Sequence, residues 1–166
     1  MADADVKAAP GGAASSDARL AAIYQDIILD HYRRPRGKGA LDAPAGADVL
    51  AAERRNPLCG DEIGLQLLLD GDTVREARFT GQGCSISQAS ASMLTQAVRG
   101  KTRAEAEALV RRFVAMAHGD AEAAADPGMR EMRALSGVAR FPARIRCATL
   151  AWGALDDALK GGRGER

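Results

Sequence analysis

Hydrophobic positions recur along this chain with two different periods, one typical of helices and the other typical of strands. The first helical segment is predicted over residues 20–34, and it ends at Arg34 because the residue before Pro35 avoids helical backbone angles. Its apolar face consists of Leu20, Ile23, Tyr24, Ile27, Ile28 and His31. We interpret His31 as a core or edge residue of this face and not as a metal ligand.

The strand period is clearest at Ile63, Leu65, Leu67 and Leu69, where apolar and other residues alternate strictly. The turn residues Asp70-Gly71-Asp72 follow, and residues 74–80 form the predicted returning strand of a hairpin. A weaker strand is predicted over residues 48–55, where alanines reduce the strand propensity. These segments predict a small antiparallel sheet.

Three further helices are predicted after the hairpin, over residues 88–98, from Thr102 onward and over 148–159. Thr102 and Glu105 form the sequence pattern of a capping box. A short helix is expected at residues 129–135, after a break at Asp126-Pro127-Gly128, and a loop at 141–147. The glycines at 81 and 83 do not indicate a dinucleotide site, because Ile86 stands where the third glycine is required.

Composition restricts the possible classes of protein. The 166 residues suit a single domain, which we expect at 18–161 between a disordered leader (1–17) and a flexible tail (162–166). A net charge of +1 and 4% aromatic residues argue against a nucleic-acid-binding protein. No apolar run is long enough for a membrane helix. Three dispersed cysteines suit a reducing compartment, the cytoplasm.

The candidate chemistry lies in these cysteines, since each stands at the boundary of a predicted element. If the stretch Asn56-Pro57-Leu58-Cys59-Gly60-Asp61 runs extended, Cys59 and Asp61 point to the same side. Cys84 precedes a helix, where free N–H groups favour a thiolate. With Cys147, these residues could form a site of three sulfurs and one oxygen, which suits zinc or iron–sulfur chemistry. Three buried, metal-free thiols are the alternative.

Three motifs resemble those of the U-type iron–sulfur biogenesis proteins over roughly residues 20–160. They are Asn-Pro-x-Cys-Gly-Asp, Gly-x-Gly-Cys-x-Ile-Ser-x-Ala-Ser-Ala-Ser and Arg-x-Arg-Cys-Ala-x-Leu-x-Trp. The pattern Ile-x-x-His-Tyr-x-x-Pro, from Ile28 to Pro35, also matches. The resemblance implies a compact α+β fold, the SufE/NifU-like (IscU-like) fold, with a three-stranded antiparallel sheet and packed helices.

Two branches of this family differ in function, and two features favour one of them. IscU-like scaffolds carry a histidine immediately before the last cysteine, where this chain has Arg146. SufU-like proteins lack that histidine and carry an insertion between the second and third cysteines. Residues 101–141 are long enough for such an insertion. The resemblance to the SufU-like branch implies a zinc site formed by Cys59, Asp61, Cys84 and Cys147.

The implied function is sulfur relay, a sulfurtransferase activity. A pyridoxal-phosphate-dependent cysteine desulfurase, SufS-like, would pass persulfide sulfur to Cys59, and downstream Suf scaffold proteins would receive it. In the family, a histidine of the desulfurase takes the zinc position that this cysteine vacates. Arg144 and Arg146 could offset the negative charge of the site or could simply be surface residues. The alternative is an IscU-like scaffold, with an iron–sulfur cluster in place of zinc.

Overall fold

The computed structural model describes the backbone of residues 2–161 and the side chains of residues 17–161. Its strands are β1 (Asp48–Asn56), β2 (Asp61–Asp70) and β3 (Thr73–Gln82). Its helices are α1 (Ala2–Arg33), α2 (Ser85–Val98), α3 (Arg103–Ala117), α4 (Ala121–Ala125) and α5 (Pro142–Leu159). A 3₁₀ segment, Pro127–Arg140, lies between α4 and α5.

The sheet is antiparallel throughout, in the order β1-β2-β3, which confirms the predicted fold class. The predicted hairpin is confirmed as β2 and β3, which are joined at Gly71 with a φ of 62°. The weaker strand is confirmed as β1, whose last residue, Asn56, pairs with Asp61 at the start of β2. A turn of residues 57–60 joins these two strands at one end of the sheet.

One face of the sheet packs on the helices and encloses the core. Alternation along β2 buries Ile63, Leu65 and Leu67, each no more than 1% exposed. Helix α5 contacts β1, β2, α2 and α3, so it is the central helix of the fold. Its Trp152 is fully buried and stacks on Phe113 of α3, with 4.4 Å between the ring centroids. This packing fixes α5, which carries Cys147, against the sheet and α2.

Helix α1 is longer than the sequence indicates. We predict a disordered leader over residues 1–17, whereas α1 begins at Ala2. Six alanines between residues 2 and 14 favour a helix, because alanine has the highest helix propensity, whereas Pro10, Gly11 and Gly12 in the same stretch oppose one. The predicted tail, 162–166, lies outside the described residues. Among the described helices, none is long and apolar enough to cross a membrane.

The region around the last cysteine also differs from the prediction. Residues 141–147 are predicted as a loop, but α5 begins at Pro142 and includes Cys147. Proline is well tolerated at the first position of a helix, because its missing N–H has no partner there. The predicted short helix at 129–135 is part of the 3₁₀ segment, which is interrupted at Arg130, where φ is 51°. His31 is fully buried, as predicted for a core residue.

Candidate metal centre

The turn between β1 and β2 presents Cys59, and Asn56 organises this turn. The backbone carbonyl of Asn56 accepts hydrogen bonds from the N–H groups of Cys59 (3.3 Å) and Gly60 (2.8 Å). Its side-chain oxygen accepts a third hydrogen bond, from the N–H of Leu58 (3.2 Å). Gly60 has a φ of 71°, which a residue with a side chain rarely adopts. Cys59 and Leu58 are therefore exposed at the tip of a hairpin.

Asp61 lies at the centre of the site, with only 2% of its surface exposed. Its Oδ1 accepts a hydrogen bond from the backbone N–H of Cys84 (3.0 Å). Its Oδ2 lies 3.3 Å from the sulfur of Cys59 and 3.6 Å from the sulfur of Cys84. A β-carbon at Gly83 would stand 2.5 Å from Oδ1. The carboxylate can therefore occupy this position only because residue 83 is a glycine.

The other two cysteines are held by helices. Cys84 is the N-cap of α2, as predicted, and it is exposed. Its backbone carbonyl accepts a hydrogen bond from the hydroxyl of Ser87 (3.1 Å). Cys147 is buried within α5, and its sulfur lies 3.6 Å from the sulfur of Cys59. Of the four residues that the resemblance implies as ligands, the structure thus clusters Cys59, Asp61 and Cys147, and it places the sulfur of Cys84 beside Asp61.

The distances between these donor atoms fit a tetrahedral zinc site. Ligand atoms of Cys59, Asp61 and Cys147 lie within 4.8 Å of one another. Around zinc, two sulfurs would be about 3.8 Å apart, and a sulfur and an oxygen about 3.5 Å apart. The observed separations are 3.6 Å for the sulfur pair and 3.3 and 3.6 Å for the sulfur–oxygen pairs. Cys84 lies outside this group of three, but its sulfur is 3.6 Å from Oδ2 of Asp61, and a small movement would let it supply the fourth ligand.

Burial raises the pKa of the Cys147 thiol well above its usual range, and hydrogen bonds with Cys59 and Cys84 raise it further. Without a metal ion this group therefore stays a neutral thiol at neutral pH. A bound zinc ion would ionise it, since a coordinating thiol is deprotonated. The site is thus arranged so that its most buried thiol acquires its negative charge only together with a cation.

The surface around the site is basic and partly apolar. Arg144 and Arg146 lie on the first turns of α5, are exposed, and form no ion pair with another described residue. Arg144 lies over the ring of Phe141, at 5.6 Å from its centroid, and this ring is 56% exposed. Leu58, beside Cys59, is 74% exposed. This surface leaves Cys59 accessible to another protein.

Sequence reasoning identified the four clustered side chains but missed the residues that shape the cluster. The condition that the Cys59 stretch runs extended is not met, because residues 57–60 form a turn, and Cys59 and Asp61 nevertheless lie together. Asn56 could have been found, because asparagine before proline is typical of a turn that its side chain stabilises. The contact of Gly83 with Asp61 joins two distant segments, and the local sequence contains no signal for it.

Comparisons with known proteins agree with this site and fold. Residues 23–163 match the family described as NifU-like N terminal domain. The chain is 45% identical, over 87% of its length, to the zinc-dependent sulfurtransferase SufU of Bacillus subtilis, of which it covers 95%. It is 44% identical, over 86% of each chain, to the iron-sulfur cluster assembly scaffold protein IscU of Streptococcus pyogenes.

A solved structure shows the same fold at low sequence identity. The crystal structure of the N-terminal part of a nitrogen-fixing NifU-like protein from Brucella abortus aligns with a TM-score of 0.70. The alignment covers 84% of this chain and 94% of that one, at 22% identity. The resemblance seen in the cysteine motifs is therefore confirmed over nearly the whole chain, and the protein belongs to the NifU N-terminal-like, or IscU, family of iron–sulfur cluster assembly proteins.

Proposed function

We propose that this protein is a zinc-containing sulfur acceptor, which takes persulfide sulfur from a cysteine desulfurase for iron–sulfur cluster assembly. The likeness to a zinc-dependent sulfurtransferase supports this role. Zinc would be held by Cys59, Asp61, Cys84 and Cys147, and when bound it supplies the charge that ionises their thiols. The downstream acceptors would be scaffold proteins of the same system, in a reducing compartment such as the cytoplasm.

The position of Cys59 carries the proposal. Cys147 is buried within α5, and Cys84 is fixed at the start of α2, where its N–H donates to Asp61. Cys59 instead lies in a short turn whose neighbour Leu58 is mostly exposed. A movement of residues 57–60 would bring its sulfur to a partner without unfolding a helix or strand. Cys59 is therefore the cysteine best placed to receive sulfur.

The transfer itself needs no additional oxidant or reductant. The thiolate of Cys59 attacks the outer sulfur of a protonated persulfide on the partner's cysteine. A sulfur–sulfur bond forms at Cys59, the bond within the partner's persulfide breaks, and its electron pair leaves with the partner's thiolate. The proton stays on the transferred sulfur, so Cys59 carries the persulfide. Asp61, Cys84 and Cys147 keep their positions in this step.

The second candidate function is an iron–sulfur scaffold, and the 44% identity to an IscU protein favours it. It would use the same four side chains with iron in place of zinc. Arg146 argues against it, because proteins of the scaffold branch carry a histidine at that position. The metal that the purified protein contains separates the two functions.

A sulfide-release assay with a pyridoxal-phosphate-dependent cysteine desulfurase, cysteine and a reductant tests the acceptor role. We expect wild-type protein to stimulate turnover and Cys59→Ala to abolish this stimulation. Because its remaining surface is intact, Cys59→Ala should also compete with wild type and inhibit the mixture. If Cys59→Ala stimulates as well as wild type does, the relay is contradicted and the protein only activates the desulfurase.

Cys84→Ala is the matched variant, since it removes the other exposed thiol. We expect it to lose zinc, whereas Cys59→Ala should keep it on Asp61, Cys84 and Cys147. If zinc-loaded Cys59→Ala inhibits the desulfurase and metal-free Cys84→Ala does not, the result supports separate roles for the two cysteines. If the two variants contain equal zinc and inhibit the desulfurase equally, separate roles for Cys59 and Cys84 are contradicted.

A further inference from the structure

Helices α2 and α5 carry two of the four clustered residues, and one buried hydroxyl connects these helices. Ser90 of α2 is fully buried. Its Oγ donates a hydrogen bond to the backbone carbonyl of Ala148 (2.6 Å) and accepts one from Nε1 of Trp152 (3.0 Å). Both partners belong to α5, and Ala148 directly follows Cys147. Ser90 therefore binds the turn of α5 next to the site.

Apart from the contact between the Cys84 and Cys147 thiols at the site itself, no other side chain in the part of the chain that the structure describes forms a hydrogen bond between α2 and α5. Both helices also bury apolar residues, such as Leu94 of α2 and Leu155 of α5, and apolar contacts have no preferred direction. A hydrogen bond does depend on distance and angle, and it weakens steeply when the geometry changes. The Ser90 hydroxyl therefore restricts sliding and rotation of α5 against α2 more than the surrounding contacts do.

We propose that Ser90 is a positioning residue for the metal centre, because its hydroxyl sets the separation of Cys84 and Cys147. This inference rests on the proposed metal centre and adds a residue that touches neither the metal nor the substrate. Cys84 begins α2 and Cys147 lies beside the carbonyl that Ser90 binds. A shift between the two helices would move one sulfur relative to the other, and tetrahedral binding tolerates little such movement.

Ser92 supplies a matched control on the same helix. It is also fully buried, and its Oγ also takes part in two hydrogen bonds, with Nδ1 of His31 (2.7 Å) and the N–H of Arg36 (2.8 Å). These partners lie on α1 and in the loop that follows it, away from α5. Removal of either hydroxyl should lower the free energy of unfolding, but only removal of the Ser90 hydroxyl should change the metal centre.

The test replaces zinc by cobalt(II), whose absorption spectrum reports the geometry of its ligands. We expect Ser90→Ala, saturated with cobalt, to show shifted bands, and its zinc affinity in chelator competition to fall about 10- to 100-fold. Ser92→Ala should keep the wild-type spectrum and affinity. If Ser90→Ala does not fold, Trp152→Phe is measured instead. This variant removes the hydrogen bond from Nε1 of residue 152 to the Ser90 hydroxyl and should also shift the cobalt bands.

Two outcomes contradict the inference in distinguishable ways. If folded Ser90→Ala keeps the wild-type cobalt bands and zinc affinity, the positioning role is excluded and the proposed metal centre is unaffected. If Ser90→Ala does not fold, the same result in Trp152→Phe excludes the role. Equal band shifts in Ser90→Ala and Ser92→Ala exclude it too, because the effect would then be a general loss of stability. A wild-type protein that binds neither cobalt nor zinc contradicts the proposed metal centre, and the positioning role with it.

Discussion

Gly83 and Asp61 show how a single missing side chain creates the space for the candidate metal centre. Oδ1 of Asp61 and the hydroxyl of Ser87 both lie close to the place where residue 83 would carry a β-carbon. A β-carbon at position 83 would stand 2.5 Å from Oδ1 of Asp61 and 2.5 Å from Oγ of Ser87, distances that van der Waals radii do not permit. The backbone at residue 83 therefore determines where a buried carboxylate can lie.

Gly83→Ala should consequently displace Asp61 and weaken zinc binding strongly, by about 10-fold or more, since it reorients a ligand. Chelator competition on purified protein measures the affinity. Gly137→Ala is the matched control, because a β-carbon there would meet no atom within 4 Å and its φ is not positive. Unchanged affinity in Gly83→Ala would show that Asp61 is not a ligand.

The cysteines should differ in how much the fold depends on them. Cys147→Ala removes a buried ligand from α5 and should lower both zinc content and melting temperature, because metal binding contributes folding free energy. Cys59→Ala should keep appreciable zinc, with water at the vacated position. Elemental analysis gives the zinc content of the two variants, and thermal denaturation gives their melting temperatures; both should be lower in Cys147→Ala than in Cys59→Ala. Full zinc and a wild-type melting temperature in Cys147→Ala would exclude it as a ligand.

At the scale of elements, α3 supports the fold without contributing to the site. Its N-cap, Thr102, accepts a hydrogen bond from the N–H of Glu105 (3.1 Å), and the carboxylate of Glu105 accepts one from the N–H of Thr102 (2.9 Å). This reciprocal arrangement is the capping box that the sequence predicts. The helix contacts α5 through the stacked rings of Phe113 and Trp152, and Arg103 donates a hydrogen bond to the backbone carbonyl of Leu159 (2.6 Å), at the opposite end of α5 from Cys147.

Thr102→Ala should therefore destabilise the protein by about 1 kcal/mol, the usual cost of losing an N-cap, and leave zinc affinity unchanged. Urea denaturation gives the free energy of unfolding, and chelator competition gives the affinity. A large loss of affinity in this variant would mean that α3 is coupled to the site more closely than the contacts indicate.

Sequence reasoning predicted some elements better than others, for physical reasons. The β2–β3 hairpin and the cap of α3 depend on local patterns, so they were predicted nearly to the residue. The start of α5 was missed, because Pro142 and the arginines after it read equally well as a loop. The close approach of Gly83 to Asp61 and the Ser90–Trp152 hydrogen bond depend on tertiary packing. Such contacts cannot be inferred from one sequence.

At the scale of the whole molecule, the fold brings three distant segments to one end of the sheet. The β1–β2 turn and the start of β2 supply Cys59 and Asp61, the N-cap of α2 supplies Cys84, and α5 supplies Cys147. With zinc, three thiolates and a carboxylate carry a net charge of about −2. The exposed Arg144 and Arg146 lie close in sequence to Cys147, and they are the candidates for offsetting part of this charge.

Protein purified without tags or chelators should contain about one zinc ion per chain, since the four donor atoms complete one tetrahedral site. It should also be colourless, because zinc does not absorb visible light. Elemental analysis and a visible spectrum measure both properties. A brown protein with iron in proportion to its chains and little zinc would favour the scaffold function over sulfur transfer.

The most direct test of the central claim is mass spectrometry of the peptide that contains Cys59. The protein is incubated with the desulfurase and cysteine, without reductant, and digested after its thiols are alkylated. Our account predicts one additional sulfur atom on Cys59, none on Cys147, and no addition in the Cys59→Ala variant. An additional sulfur found only on Cys84, or on no cysteine while turnover is still stimulated, would contradict it.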